Sequence, residues 1–177
     1  MEFNSFKVFL TISILINLSF CAITIEYPNS LLQIFPTGIN SNVATFGDIP
    51  YGLNTIGHFV YDFDNKDAEM ACNDLKNFNL EKNDFLNDFD PFLILDRGSC
   101  SFVTKARNAQ KIGAKAVIII NNNDDDINEI YMMDDGTGKD IKIPTLLISK
   151  TDGDKLKKYF LESNKEEKTR ISLSFEI

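Results

Sequence analysis

The second half of the chain contains three apolar runs of strand length. Residues 92–95 and 116–120 are continuously apolar, and residues 143–148 form a third run with Pro144 near its start, where a missing N–H is tolerated. A segment with helical spacing of apolar positions follows the first run, and capping residues and charge placement predict a second helix after the third. The order strand, helix, strand is most simply a right-handed parallel crossover, so the pattern predicts an α/β fold.

Both of these segments carry a helix start signal, and the first also carries a stop signal. Ser101 is expected to cap the first helix and Gly113 to end it. The second helix is capped by either Ser149 or Thr151, with Asp152 near its positive end. The apolar positions at helical spacing in the first helix are Phe102, Ala106, Ala109 and Ile112.

Shorter elements are predicted towards both ends of the chain. Apolar runs at residues 23–27, 31–35 and 56–61 are separated by prolines and glycines, which predicts short strands and irregular loops. Residues 62–90 are rich in Asp, Asn, Glu and Lys and predict a surface excursion. Residues 170–177 alternate apolar and polar positions, as in a half-buried terminal strand.

The N-terminal residues have the profile of a signal peptide. A short basic region precedes an apolar stretch over residues 8–20, which is short for a membrane span. Cleavage after Cys21 is favoured because it places the small residue Ser19 at position −3. We therefore predict a signal peptide over residues 1–21 and one domain over residues 22–177, with an uncleaved anchor as the alternative.

Composition narrows the choice of partners and compartment. The formal charge of −8 and the pI near 4.6 argue against nucleic acid and anionic lipid as partners. An apolar fraction of 44% is enough for the core of one ordinary domain. After residue 20 no stretch is long and apolar enough to cross a bilayer. We expect a secreted protein or one in the endomembrane lumen, such as the vacuole, lysosome or Golgi.

Two cysteines remain after cleavage, Cys72 and Cys100. In an oxidising compartment two such thiols usually join, so a Cys72–Cys100 disulfide is predicted. Closing a loop of roughly 30 residues would stabilise the fold by about 3–4 kcal/mol in the chain-entropy model. Two buried free thiols are the alternative.

The other titratable clusters favour structural roles. His58, the single histidine, lies in an apolar run and is expected to be a half-buried strand residue, with pH sensing as the alternative. Asp124, Asp125 and Asp126 could bind calcium, but they lack the spacing of a calcium loop, so a solvated loop is favoured. Residues 121–126 and 133–140 predict mobile surface loops. Neither a metal nor a cofactor is expected.

Residues 92–154 carry a specific series of motifs. The segment LILDRGSCSFVTKARNAQKIGAKAVIIINN is followed by Met132-Met133-Asp134 and then by IKIPTLLISKTDG. In this order the motifs resemble the protease-associated (PA) domain, and most of all the lumenal PA domain of vacuolar sorting receptors. Upstream, GDIPYGLNTIGHFVY and the Ala71-Cys72 pair are similar to elements of the same receptors. The resemblance implies an open β-barrel or sandwich of short strands flanked by two main helices, and it supports the same single disulfide.

The resemblance also implies a binding site. In the sorting receptors the loop after the central strand helps to hold cargo peptides. The loop ends at a helix N-terminus, where about four backbone N–H groups lack partners within the helix and where Arg97 would add a fork of donors. Pairing of Arg97 with Asp96 or another carboxylate is the structural alternative, and Ser99 departs from the acidic residue that the receptors often have. The positions that match the loop are Arg97, Gly98, Ser99, Cys100, Ser101 and Phe102.

These observations predict a non-catalytic module that binds a cargo-like protein or peptide in vacuolar or lysosomal sorting. An enzyme is not expected, because a single histidine leaves no room for a catalytic triad or a metal site. The alternative is a structural accessory domain, or a truncated receptor, that stabilises a partner and binds no peptide. Exposed apolar residues beside Arg97 would favour the first function, and a broad apolar patch elsewhere would favour the second.

Overall fold

Seven strands in the described part of the chain form one closed barrel. The computed structural model describes residues 21–62, 70–75, 78, 80, 89–163 and 169–175. Most of the predicted signal peptide and of the predicted surface excursion lies outside these residues. Around the barrel the strands follow the order β1-β2-β6-β5-β4-β3-β7, and β7 pairs with β1 to close it. The strands are β1 (Cys21–Tyr27), β2 (Ile39–Val43), β3 (Asn54–Val60), β4 (Asp90–Asp96), β5 (Ala116–Ile120), β6 (Thr145–Ile148) and β7 (Arg170–Phe175).

Helices complete the α/β architecture. A short helix α1 (Asn29–Ile34) and two longer ones, α2 (Phe102–Lys111) and α3 (Lys150–Glu162), flank the barrel, with 3-10 turns at Ile127–Glu129 and Gly138–Asp140. The predicted α/β barrel with two main helices is confirmed, and the sheet closes where an open barrel or sandwich had been expected. No helix in the described ranges is long and apolar enough to cross a membrane.

The four strands β3, β4, β5 and β6 run parallel, and the remaining pairings are antiparallel. β5 is buried along its whole length, because parallel strands covered on both faces need apolar residues at every position. In β4, Phe92 and Ile94 join the cluster that includes α1 and α3. Leu93 and Leu95 join the cluster beneath α2. The parallel strands are therefore held from both sides.

The sequence signals for α2 are confirmed in detail. Ser101 Oγ accepts a hydrogen bond from the Thr104 backbone N–H at 3.1 Å, as an N-cap does. Gly113 has φ of +99°, and the next N–H, of Ala114, donates to the Ala109 carbonyl at 3.1 Å. Both ends of the helix are thus fixed by local hydrogen bonds.

The second main helix, α3, approaches β5 closely. Ser149 is its N-cap, because the Ser149 Oγ accepts from the Asp152 N–H at 3.0 Å, whereas Thr151 lies inside the helix. Gly153 faces Ile120, and a Cβ atom at Gly153 would lie 2.1 Å from Ile120 Cγ2. The absence of a side chain at Gly153 is what lets α3 pack on the sheet.

One predicted strand region is wrong. Residues 31–35 read as a short apolar run, but the structure has the helix α1 there, ending one residue before Phe35. Leu31 and Phe35 are both buried, and their separation of four residues places them on one face of a helical turn. A five-residue run is too short to distinguish strand from helix by periodicity.

Replacing Gly153 with alanine tests the contact between α3 and β5. Overpacking against Ile120 costs about 1–3 kcal/mol, while the gain in helix propensity returns about 1 kcal/mol. We expect Gly153→Ala to lower the free energy of unfolding in urea denaturation. The exposed Lys158→Ala on the same helix is the control and should stay within about 0.5 kcal/mol of wild type. A more stable Gly153→Ala would contradict this packing.

Candidate functional site

The carboxyl ends of the parallel strands lie along one edge of the barrel. The Arg97 N–H, just after β4, donates to the Ile120 carbonyl at 2.9 Å, and the Asn121 N–H, just after β5, donates to the Ile148 carbonyl at 3.0 Å. The chain therefore leaves β4, β5 and β6 at neighbouring points. Ligand sites in open α/β sheets form at this edge of parallel strands. The predicted loop at residues 97–102 lies here.

The Arg97 side chain is oriented by a neutral partner. Its Nη1 donates to Asn121 Oδ1 at 2.7 Å, and the guanidinium carbon lies 5.8 Å from the centre of the Phe102 ring. Asn121 is buried and its Nδ2 donates to Asn123 Oδ1 at 2.9 Å, so the amide is itself held in place. Since a guanidinium carries five N–H donors, this single bond orients Arg97 while leaving donors for a ligand.

The alternative pairing of Arg97 with Asp96 is wrong. Lys157 of α3 donates to Asp96 Oδ2 at 2.6 Å, which uses the neighbouring carboxylate for a contact between β4 and α3. Lys157 also lies 5.6 Å from the centre of the Tyr61 ring. The two adjacent residues of the turn thus have separate roles: Asp96 ties the strand to α3, and Arg97 faces the loop.

The backbone of the loop makes a tight reversal after Arg97. Gly98 has φ of +132° and Ser99 has φ of +65°, while the Cys100 N–H donates to the Gly98 carbonyl at 2.8 Å. The left-handed conformation of Ser99 is unusual for a residue with a Cβ atom. The turn leaves Ser99 exposed at its tip.

The helix N-terminus next to this loop already has an acidic neighbour. Ser101 Oγ donates to Asp135 Oδ2 at 2.6 Å, and Asp135 also accepts from the Thr137 N–H and hydroxyl. The hydrogen bond from Ser101, followed by that from the Thr137 hydroxyl, lowers the pKa of Asp135. A ligand that reaches the first turn of α2 therefore meets the carboxylate of Asp135 as well as Ser101.

The segment after Met133 is tied along α2. Arg107 forms an ion pair with Asp140 at 3.1 Å and also donates to the Thr137 carbonyl. Gln110 bridges the same segment, donating to the Asp140 carbonyl at 3.0 Å and accepting from the Lys142 N–H at 2.6 Å. The stretch predicted as a mobile loop at residues 133–140 is instead hydrogen-bonded to the helix at several points.

Two large apolar side chains lie exposed where this segment begins. Tyr131 is 73% exposed and Met133 is 67% exposed, on either side of the buried Met132. The Met132 carbonyl accepts a hydrogen bond from the Thr45 N–H at 3.0 Å, which holds the backbone between the two exposed side chains. Thr45 follows Ala44, whose N–H donates to the Thr145 carbonyl at 2.9 Å, so the backbone between the two exposed side chains lies near the start of β6.

The disulfide Cys72–Cys100 is confirmed, with Cα atoms 5.6 Å apart. Helix α2 also holds the backbone around Cys72, a contact for which the sequence carries no local signal. Lys105 Nζ donates to the Met70 carbonyl, and Asn108 Nδ2 donates to the Ala71 carbonyl at 2.9 Å. Burial lowers the pKa of Lys105 to about 8, against an opposing effect of Asp96. The loop is thus pinned through Cys100 to a segment that α2 itself positions.

His58 is buried in β3, more deeply than the half-buried position predicted for it. Its Nδ1 is 3.1 Å from the Phe89 carbonyl, and its buried Nε2 has no hydrogen-bond partner in the described part of the chain. Burial lowers the pKa of His58, although the Phe89 carbonyl and Asp90 act in the opposite direction. His58 pairs with Pro91 at the other end of β4, about 20 Å of strand from Arg97.

The acidic loop after β5 forms local turns. Asp126 Oδ1 accepts from the Asn128 N–H at 2.9 Å and caps the 3-10 turn Ile127–Glu129. Asp125 Oδ2 accepts from Asn123 Nδ2 at 2.5 Å. Within the described ranges, no group of three or more His, Cys, Asp or Glu side chains is arranged to hold a metal ion.

Apart from the closure of the sheet, a barrel of short strands with two main helices and one disulfide is the architecture implied by the PA resemblance. The chain matches the PA domain family over residues 56–156, which include the whole candidate loop. The chain therefore belongs to the PA domain family, and the resemblance found in its motifs is confirmed.

Relatives with this domain include plant sorting receptors. The chain is 32% identical over 139 residues to vacuolar-sorting receptor 3 of Arabidopsis thaliana and 35% identical over 142 residues to vacuolar-sorting receptor 1 of Pisum sativum. Each match covers 73% of this chain, but only 22% and 21% of the receptors, so the chain spans about a fifth of their length. Signal peptide peptidase-like 3 of Arabidopsis thaliana is 38% identical over 71 residues, which is 40% of this chain and 13% of that protein.

A solved structure shares the fold. The aminopeptidase from Aneurinibacillus sp. strain AM-1 aligns with a TM-score of 0.55 over 88% of this chain and 30% of its own. The sequence identity is 21%, so this similarity concerns the architecture alone.

The depressed pKa of His58 predicts an acid-sensitive stability. In the unfolded chain His58 has its ordinary pKa near 6.5, so the unfolded chain takes up the proton at a higher pH than the folded protein does. The stabilisation of the fold by neutral His58 is therefore complete above pH 6.5 and is lost as the pH falls towards the lower pKa of the folded protein. We expect the free energy of unfolding to decrease more between pH 7.5 and 5.5 in wild type than in His58→Gln. Urea denaturation at several pH values measures this. Parallel curves for the two proteins would show that His58 does not contribute.

Proposed function

We propose that the chain is a non-catalytic module that binds protein or peptide ligands in the lumen of the secretory or endomembrane system, with residues 97–102 as its contact loop. In this proposal residues 1–21 are a cleaved signal peptide and residues 22–177 the module. Similarity to vacuolar-sorting receptors supports a sorting or binding role. The observation that carries the site is the guanidinium of Arg97, which Asn121 orients at the carboxyl edge of the strands.

The chemistry of this edge suits a peptide backbone. Arg97 offers N–H donors to a carbonyl or a carboxylate, which are the acceptors that a peptide carries. The face of Phe102 beside the guanidinium offers apolar contact for a ligand side chain. Such a combination of one oriented polar group and adjacent apolar surface is typical of recognition sites.

A binding role without catalysis is supported by the placement of the titratable groups. The single histidine is buried at the far end of β4, away from Arg97, and Cys100 is in a disulfide. A hydrolytic site needs a nucleophile and a base within hydrogen-bond reach of each other. The contact between the Ser101 hydroxyl and Asp135 belongs to the cap of α2, and in the described ranges neither a histidine nor a free thiol lies with it.

A second candidate function has its own observation. Tyr51 and Leu53 are 55% and 64% exposed, and Ile56 of β3 is 37% exposed. Because β3 and β4 run parallel, the start of β3 lies at the end of the barrel opposite to Arg97. This apolar patch supports an accessory module that docks on a larger partner, or a truncated receptor domain, and binds no peptide.

Loss of the Arg97 guanidinium should weaken peptide binding. Peptides selected from a display library on the oxidised protein would be measured by fluorescence anisotropy against wild type, Arg97→Ala and the matched control Lys115→Ala, an exposed cation away from the loop. We expect at least a tenfold higher Kd for Arg97→Ala, because a hydrogen bond to a charged group contributes about 1.5–3 kcal/mol. Equal Kd values for all three proteins would contradict the proposed loop.

Site-specific photo-crosslinking separates the two functions. A photoreactive residue placed at Ser99 reports on the contact loop, and one placed at Leu53 reports on the opposite patch. The peptide-binding function predicts crosslinks to soluble ligands from Ser99 that a selected peptide suppresses by competition. Crosslinks confined to Leu53, and unaffected by peptide, would favour the accessory module.

A further inference from the structure

A buried cation lies against the disulfide. The Lys105 side chain is fully buried, and its Nζ lies 3.8 Å from Cys72 Sγ and 4.0 Å from Met70 Sδ while donating to the Met70 carbonyl. In the described part of the chain no carboxylate lies within 4.0 Å of it. Burying an ammonium group without a carboxylate partner costs free energy, so the position of the Lys105 ammonium beside sulfur suggests a function.

The charge of Lys105 is retained near neutral pH. Burial lowers its pKa to about 8, so the group is still mostly an ammonium ion at pH 7. A positive charge within about 4 Å of a sulfur atom favours the thiolate over the thiol. Lys105 therefore stabilises negative charge on Cys72 whenever the disulfide opens.

We propose that Cys72–Cys100 is a thiol-exchange site, in which an external thiolate attacks Cys100 Sγ and Cys72 departs as a thiolate stabilised by Lys105. The new bond joins the external sulfur to Cys100, the Cys72–Cys100 bond breaks, and its electron pair stays on Cys72. A second external thiolate then attacks the external sulfur of this mixed disulfide, and Cys100 leaves as a thiolate. Two external thiols are thereby oxidised to one disulfide, and the protein gains two electrons.

Two local effects oppose the departure of Cys72 as the thiolate. Cys100 lies next to the N-terminus of α2, which also favours a thiolate, and the Met70 and Gly98 carbonyl oxygens lie 3.5 and 3.7 Å from Cys72 Sγ. The helix terminus, however, is already capped by Ser101, which in turn binds the Asp135 carboxylate. The Met70 carbonyl is already bound by Lys105, so its oxygen faces the same ammonium. Because the ammonium group of Lys105 lies 3.8 Å from Cys72 Sγ, we expect its full charge to decide which cysteine leaves as the thiolate.

The segment around Cys72 stays attached to α2 when the sulfur bond opens. Lys105 holds the Met70 carbonyl and Asn108 holds the Ala71 carbonyl, and neither bond involves sulfur. Cys72 thus remains near Cys100, and the disulfide can re-form when the thiol is removed. The exchange chemistry does not depend on peptide binding at residues 97–102.

An experiment on the wild-type protein shows which of the two sulfur atoms the external thiolate attacks. The oxidised protein is mixed with 2-mercaptoethanol at pH 7, each newly released thiol is trapped at once with N-ethylmaleimide, and the products are mapped by peptide mass spectrometry. We expect the maleimide on Cys72 and mercaptoethanol on Cys100 in about tenfold excess over the reverse. Equal amounts, or an excess of the reverse product, would overturn the proposal.

A variant tests the role of the charge. Lys105→Met should slow the initial cleavage by mercaptoethanol about fivefold and remove the preference for release of Cys72, because the leaving thiolate loses its cation. The exposed Lys115→Met is the matched control and should cleave as wild type does. An unchanged preference in a folded Lys105→Met would contradict the proposal, and if that variant does not fold, the wild-type product ratio decides.

Discussion

The pairing of β7 with both β1 and β3 is the constraint on which the structure depends. It joins the first and last described strands of the chain and leaves neither β1 nor β3 as an open edge. Closure keeps β3 to β6 parallel and side by side, so their carboxyl ends come to one edge of the barrel. Residues 97–102 and 121–126 meet there because each leaves a neighbouring strand at the same level.

Helix α2 connects the stability of the domain to the geometry of this edge. Val103, Ala106 and Ala109 pack on the sheet, while Lys105 and Asn108 hold the backbone that carries Cys72. The same helix begins at the end of the candidate loop and receives the segment that contains Asp135. The loop, the disulfide and helix α2 are therefore joined by direct contacts.

The fold leaves the function to the loops. A barrel of similar architecture occurs in an aminopeptidase at 21% identity, and a related domain occurs in plant sorting receptors, where it takes up about a fifth of the chain. One fold can therefore be combined with different activities. In this protein the side chains that distinguish the edge, such as Arg97, Phe102 and Asn121, lie outside the strands.

Local chemistry in the sequence determined much of the result. The sequence predicted the strands β4 to β6 and the caps of α2 and α3, because each depends on residues that are close together in the chain. It predicted the disulfide because two cysteines remain after the predicted cleavage. Only tertiary structure decided that α1 is a helix, that the barrel closes, that Asn121 orients Arg97 and that Lys105 is buried against Cys72. The last two contacts join residues 24 and 33 positions apart. Long-range packing brings such residues together, and no short pattern in the sequence encodes it.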